Sequence, residues 1–342
     1  MIPSSVHLGG SPNPTARLPI VDLDAPDRAS TIRETCVEYG FFYLVNHGVD
    51  QELVESVLEH SRKFFSLPLD RKNQLLRNHH RGYTPLFSEN LDPSSSSKGD
   101  SKESFYIGPL EGDTLNQWPP PVVELICFCF GPRATTDLLP SWRITMEAYY
   151  EKLLCAGKKL VSVIALALNL DEDYFEKIGA LVSPDGFLRL LHYPGDCTEE
   201  MIGASEHSDY GMITLLMTDG VPGLQVCKEK DKQPRVWEDV LHVKGAFIVN
   251  IGDMMERWTN CLFRSTLHRV MPVGQERYSD GILLGSEPRL HRRVSRNLLQ
   301  YIMSQKVSAC SERQLLERAV LAYIWIIRFH SLEAPRNHSP EL

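Results

Sequence analysis

His207-Ser208-Asp209 is the one place in this chain of twelve histidines where His-x-Asp or His-x-Glu occurs. On an extended strand, positions i and i+2 face the same side, so both side chains can reach one ion. A second imidazole, His268, lies in a later strand candidate. Two imidazoles and one carboxylate form the facial donor set of non-haem iron(II) oxygenases. Such a set leaves three coordination positions open, two for a chelating 2-oxo acid and one for O2. Zinc hydrolases use the same donors, but here they leave no general base assigned and give Arg277 no role. After His268 comes Arg277-Tyr278-Ser279. On a strand, Arg277 and Ser279 point the same way, and a guanidinium grips a carboxylate bidentately with the hydroxyl as a further donor. That pair suits the distal carboxylate of 2-oxoglutarate.

Each of these residues has a duller explanation. An isolated His-x-Asp is most often a solvated turn; His268 and the Arg-x-Ser behind it shift the balance towards a site. Arg293-Val-Ser295 repeats the second motif but lies too far along the chain. His47 stands between a strand candidate and Gly48, so it reads as a turn residue. Trp237, Phe247, Val249, Ile251 and Trp258 read as core. Asn250, inside the same apolar run, is assigned there too, with the cavity as its alternative.

The elements that must position these groups fall into two textures. The N-terminal half is helical. The spacing predicts a short strand at 18–22, a helix from Asp27 to Gly40, a strand at Phe41–Val45 turning at 46–48, and a helix over 51–66 capped by Asp50. Residues 89–103, with Ser94–Ser97, read as a mobile polar loop. A long helix is expected from Ser141 to Leu170 and a short one at 172–178. Beyond 185, short strands alternate with turn signals at 186–193, 211–217, 223–227, 245–251 and 265–271, the pattern of an all-β barrel or sandwich.

Composition narrows the function classes. The chain has 342 residues, 42% hydrophobic and 23% charged, with a formal net charge of −8. That balance, with no long basic run, argues against nucleic acid as a partner. The longest apolar stretches, 160–170 and 319–327, are too short to span a bilayer. No basic start followed by an apolar core opens the chain, so no secretory signal is read. The eight cysteines form no C-x-x-C pair, which fits reduced thiols in the cytoplasm.

The chain resembles the plant 2-oxoglutarate/Fe(II)-dependent dioxygenases of the isopenicillin N synthase-like family. The likeness runs through Leu18-Pro-Ile-Val-Asp-Leu and Gly40-Phe-Phe-Tyr-Leu-Val-Asn-His-Gly-Val49, and resumes from about Leu139 through Ser279. It implies an α+β fold: a double-stranded β-helix, or jelly roll, flanked by helices from the N-terminal half. It implies His207, Asp209 and His268 as Fe(II) ligands, and Arg277, Ser279 and Tyr193 (before Pro194) as co-substrate residues. No catalytic residue is expected beyond the metal centre. Fe(II), 2-oxoglutarate as co-substrate and ascorbate as a supporting reductant follow from the same resemblance. So does the reaction: oxidative decarboxylation to succinate and CO2, coupled to hydroxylation, desaturation, ring closure or demethylation of a small molecule by a monomeric enzyme. Relatives carry Asn-Tyr before this tyrosine where Leu191-His192 stands here, which is expected to alter the pocket.

Three regions are therefore expected: an N-terminal dioxygenase region at 18–120, a long helix plus metal-binding jelly roll at 139–279, and an atypical tail at 280–342. Two stretches depart from the family. Residues 122–137 are inserted, with an apolar centre at 125–130. From Asp280 the usual apolar strand gives way to Asp-Gly-Ile-Leu-Leu-Gly, then to basic text and a helix-like piece at 312–329. Asp and Gly are poor strand formers, so this segment is expected to dock poorly, with a short strand at 282–284 as the alternative. The main rival is accordingly an inactive or unstable product of an altered gene model that keeps the metal motif.

Overall fold

The structure is a computed structural model. It describes residues 13–92, 99–111, 115–120, 123–124, 135–136, 139–181, 185–196, 201–230 and 232–285. The first part of the chain gives β1 (Ile20–Asp22), α1 (Arg28–Glu38), β2 (Phe41–Val45), α2 (Gln51–Phe65), α3 (Leu69–Asn73), β3 (Gly82–Thr84) and β4 (Glu103–Ile107). A small ribbon, β5 (Val123–Glu124) with β6 (Thr135–Thr136), falls within the inserted stretch; its apolar centre at 125–130 lies outside the described residues. Then come α4 (Trp142–Ala167), α5 (Tyr174–Lys177), β7 (Asp185–Tyr193), β8 (Ala204–His207), β9 (Ile213–Thr218), β10 (Leu224–Cys227), β11 (Glu238–Asp239), β12 (Phe247–Ile251), α6 (Asp253–Trp258), β13 (Leu267–Val270) and β14 (Arg277–Gly285).

The strands form an eight-stranded sheet in the order β1-β2-β12-β9-β14-β7-β4-β3 and a four-stranded sheet in the order β11-β10-β13-β8. Side chains alternate across the large sheet, as strand geometry requires. Phe42, Leu44, Ile213, Leu215, Phe247, Val249, Ile251, Ile282 and Leu284 join the core cluster that holds α4. Phe41, Tyr43, Leu191, Tyr193 and Ile248 join a second cluster with Leu224, Val226 and Val270 of the small sheet. This is the expected jelly roll, with α1, α2 and α4 as an outer layer and the functional cavity between the sheets.

The expectation for residues 280–285 was wrong. Strand β14 continues to Gly285, is buried throughout, and pairs with β7 on one side and β9 on the other. A two-sided ladder overrides weak intrinsic propensity, because propensity measures how a side chain fits its neighbours. The neighbours suit this sequence. A Cβ added at Gly281 would sit 2.4 Å from the Leu215 carbonyl oxygen, and one at Gly157 of α4 would sit 2.2 Å from Leu284 Cδ1. Glycine at 281 lets β9 close in; glycine at 157 makes the seat for Leu284. Asp280 is buried against Tyr149 of α4, whose hydroxyl donates to it. The helix-like piece at 312–329 lies outside the described residues.

The loop reading of 89–103 also needs correction. Residues 93–98 lie outside the described residues, but Asp100, Ser101 and Lys102 are buried and lead directly into β4. The helices fall close to their expected bounds, although the Asp50 side chain makes no capping bond. His47 is a turn residue as expected: its ring packs edge-on against Phe247 at 4.4 Å and its Nε2 lies 3.1 Å from the Gly245 carbonyl oxygen. Trp237, Phe247, Val249, Ile251 and Trp258 are all buried.

Candidate metal centre and its two chambers

His207 ends β8 and His268 stands on β13, directly opposite it in the antiparallel register. Their ring centroids are 4.2 Å apart. Asp209 is not on the strand, as the spacing had suggested; it lies in the irregular segment that follows. From there its Oδ1 is 3.8 Å from Nε2 of each histidine. One donor atom from each of the three residues lies within 4.8 Å of the others, a separation that one bound ion can bridge.

Each donor is held by a partner. His207 Nδ1 lies 2.7 Å from the Ser205 carbonyl oxygen and His268 Nδ1 3.2 Å from that of Thr266. A carbonyl only accepts, so each Nδ1 carries the hydrogen and each Nε2 lone pair points at the shared point. Asp209 Oδ2 accepts from Thr214 Oγ1 at 2.5 Å and from Asn250 Nδ2 at 2.8 Å. Those two bonds leave Oδ1 facing the imidazoles. Burial, reinforced by the neighbouring His268, pushes His207 down to about 3, so the ring is a neutral lone-pair donor. Burial alone would raise the Asp209 carboxyl; His268, His207 and the donors Thr214 and Asn250 hold it below the usual carboxylate range. Two imidazole Nε2 atoms and one carboxylate oxygen are a donor set that fits Fe(II).

Two chambers meet at this point. The inner one, of about 80 Å³, is walled by Leu191, Tyr193, Thr214, Asn250, Arg277 and Ser279, with the three metal-site residues at its mouth. Arg277 and Ser279 share a face of β14, as expected, with Arg277 Nη1 donating to Ser279 Oγ at 3.1 Å. Tyr193 is the register partner of Arg277, and the guanidinium lies 5.0 Å from its ring centroid. The outer chamber, of about 260 Å³, has apolar walls at Leu91, Phe187, Leu267 and Leu283 and a charged end at Arg77, Glu89 and Arg189.

Sequence reasoning missed several of these residues. Asn250, assigned to the core, in fact holds Asp209. Arg189 belongs to both chambers. Its Nη2 lies 3.1 Å from Glu89 Oε2, and Glu89 also pairs with Arg77 at 2.9 Å. Burial works against that charge, but Arg189, Lys102 and Arg77 hold the Glu89 carboxyl well below the usual range. The signal was in the strand: Phe187, Arg189, Leu191 and Tyr193 share one face by period 2, and an arginine in such a row faces the cavity. His192, expected to alter the pocket, points to the opposite face. It sits between Glu103 at 2.7 Å and Glu276 at 2.8 Å and stacks on Tyr278. Only Leu191 of that pair lines the cavity.

Comparison with known proteins agrees with this geometry. Residues 18–121 match a family model described as non-haem dioxygenase in morphine synthesis N-terminal, and residues 184–282 match the 2OG-Fe(II) oxygenase superfamily. Kihadalactone A synthase LFS of Citrus sinensis is 40% identical over 81% of this chain and 83% of that protein. Azadirone synthase LFS of Melia azedarach is 38% identical over 78% and 81%. A crystal structure of JOX2 in complex with 2OG, Fe and JA covers 81% of this chain and 77% of its own, with a TM-score of 0.67 at 29% identity. Full-length Neurospora crassa T7H, in complex with alpha-KG and thymine, aligns over 84% of this chain and 97% of its own, with a TM-score of 0.66 at 26% identity. The chain belongs to the 2-oxoglutarate- and Fe(II)-dependent oxygenases, oxidoreductases that oxidise small organic metabolites.

Proposed function

We propose that His207, Asp209 and His268 hold the Fe(II), that Arg277, Ser279 and Tyr193 hold the distal carboxylate of 2-oxoglutarate, and that the outer chamber receives a plant specialised metabolite. One observation carries the reading. Arg277 is 2% exposed and forms no ion pair with any described carboxylate. A buried guanidinium without a counter-charge is costly, and a dianionic co-substrate seated between it and the metal supplies that charge. A zinc hydrolase gives this arginine nothing to do.

With O2, the Fe(II)–2-oxoglutarate pair supplies the oxidising power, and succinate and CO2 are the co-products. The protein's own part is orientation and exclusion of water. Ser205 and Thr266 fix the two imidazoles, Thr214 and Asn250 fix Asp209, and Arg277 with Ser279 sets the co-substrate's reach. Leu91 and Leu283 border both chambers and keep their junction apolar. The outer walls suit a largely hydrocarbon molecule, with its polar groups towards Arg77, Glu89 and Arg189. Hydroxylation is the primary reaction, with desaturation, ring closure and demethylation as variants of the same hydrogen abstraction.

A monomer working in the cytoplasm on a freely diffusing substrate, without nucleic acid or membrane, completes the reading. No helix among the described residues is long and apolar enough to cross a membrane. Cys36, Cys155 and Cys227 are thiols outside any disulfide, which suits a reducing compartment. The test is to incubate purified protein with Fe(II), ascorbate, 2-oxoglutarate and a plant metabolite extract, following succinate and new masses. Succinate formation that needs Fe(II), with products heavier by one oxygen or lighter by two hydrogens, is expected. Hydrolysis products formed with Zn(II) and without O2 would overturn the proposal.

A further inference from the structure

We infer that Asp100, locked in place by Lys102, is a positioning residue for the metal, acting through Ser205 on His207; this rests on His207 being a ligand. Strand β8 lies at the margin of the small sheet, and among the described residues its one ladder partner is β13. An edge strand leaves outward amides without ladder partners. Here a side chain from the segment before β4 fills the gap. Asp100 Oδ1 accepts from the Ser205 backbone N–H at 3.1 Å and from Ser205 Oγ at 2.6 Å. The carbonyl of that same Ser205 accepts from His207 Nδ1 at 2.7 Å. One residue thus joins the carboxylate to the imidazole, and the Ser205 peptide orientation sets where His207 Nε2 points.

The other Asp100 oxygen is taken by Lys102 Nζ at 2.6 Å, with both side chains almost fully buried. Lys102 Nζ also lies 3.5 Å from Glu89. Ser101 N and Oγ donate to the Ile202 carbonyl at 2.8 and 3.0 Å, pinning the segment to the chain just before β8. Gly99 brings the segment in at φ +78, where an added Cβ would meet the Phe87 carbonyl oxygen at 2.3 Å. A buried ion pair is weak evidence of stabilisation. This pair instead sets the orientation of one strand end, and that strand end carries a metal ligand. The N-terminal region thereby bears on iron affinity without touching the iron.

Mn(II) is the probe, an oxygen-stable divalent ion whose free form is counted by electron paramagnetic resonance. Melting of the metal-free protein is measured beside it. Asp100→Ala/Lys102→Met removes both buried charges and the acceptor, and Mn(II) affinity should fall about 10-fold. Asp100→Asn/Lys102→Met removes the same charges but keeps an oxygen facing Ser205, and affinity should return to that of the parent, well above that of Ser205→Ala. Ser205→Ala deletes one of the two bonds in the otherwise intact chain and should weaken Mn(II) about threefold. It covers the case in which the first variant does not fold. Parent-like affinity in either folded deletion, or no rescue by the asparagine, overturns the inference. His207→Ala is the control. If it keeps Mn(II), the ligand assignment itself fails; if it loses Mn(II) while the Asp100 variants do not, only the positioning role fails.

Discussion

The two sheets that enclose the cavity hold their functional groups in different ways. Arg277 and Ser279 stand on β14, whose neighbours β7 and β9 bond it along both edges from Ser279 onward. The anion anchor therefore takes its geometry from the backbone ladder. Of the metal donors only His268 has such a frame, on β13 between β10 and β8; the other two do not. His207 ends a marginal strand, and Asp209 has left the strand altogether. Side chains and carbonyls replace the ladder: Ser205 and Thr266 for the imidazoles, Thr214 and Asn250 of the large sheet for the carboxylate. The difference teaches that the two halves of the site can be damaged separately. Variants on the small-sheet side should act on the metal, and variants on β14 should act on the co-substrate.

The largest effect tests that separation at the metal. Replacing His268 or Asp209 by Ala removes one of three protein donors, and Asp209 carries the only ligating negative charge. Turnover and stoichiometric iron should both be lost, while the apo-protein still melts cooperatively. Normal iron content with normal succinate production would break the assignment.

On the other sheet, Arg277→Ala should leave iron binding in place and weaken 2-oxoglutarate. Truncating one member of a buried charged pair costs about 2–5 kcal/mol, and about 1.4 kcal/mol corresponds to tenfold. Affinity should thus fall roughly 30-fold or more, read by anaerobic calorimetry on the metal-loaded enzyme. A change within about twofold would show that the distal carboxylate sits elsewhere.

A subtler variant sharpens the point that the large sheet also props the metal side. Asn250→Ala removes one of the two donors to Asp209 Oδ2 and leaves Thr214. Metal affinity should fall about 10-fold, with 2-oxoglutarate affinity on the loaded enzyme nearly unchanged. If 2-oxoglutarate binding fell and metal binding did not, Asn250 would serve the co-substrate rather than Asp209.

A last effect, on stability rather than on binding, concerns the back of β14. Burial, with Asp219 adding repulsion and the Tyr149 bond opposing, pushes the Asp280 carboxyl to about 7 from an ordinary 3.8. A folded value above the unfolded one means the native state holds its proton more tightly. This group therefore costs nothing below about pH 4, and its penalty grows as pH rises to about 7, reaching roughly 4 kcal/mol. Asp280→Asn should melt like the parent near pH 3.5 and several degrees higher at pH 8. A pH-independent difference in melting temperature would show that Asp280 does not titrate in this range.

Much of this architecture was legible in the sequence. The metal set was readable because ligand chemistry needs few residue types in a fixed order, and β1, β2, β7, β9, β10, β12 and β13 because short apolar runs ended at turn residues; β3, β4, β8 and β11 were not expected. The segment at 99–103 was not, since its sequence is polar and its burial depends on Ser205, Ile202 and Glu89, far away in the chain. The docking of 280–285 was not, because a glycine in α4 and a glycine in β14 make room that no local pattern announces. Asp209 was placed on a strand by a period-2 argument that holds only while the strand lasts; β8 stops at His207.

The central claim is that one cavity joins a metal held mainly from the small sheet to an anion held from the large one. The most direct test is a crystal structure with Mn(II) and 2-oxoglutarate, grown without O2. The account predicts the ion on Nε2 of His207, Nε2 of His268 and Oδ1 of Asp209, with the distal carboxylate hydrogen-bonded to Arg277 and Ser279 in the inner chamber. An ion bound elsewhere, or a co-substrate whose distal carboxylate leaves Arg277 without a partner, would contradict it.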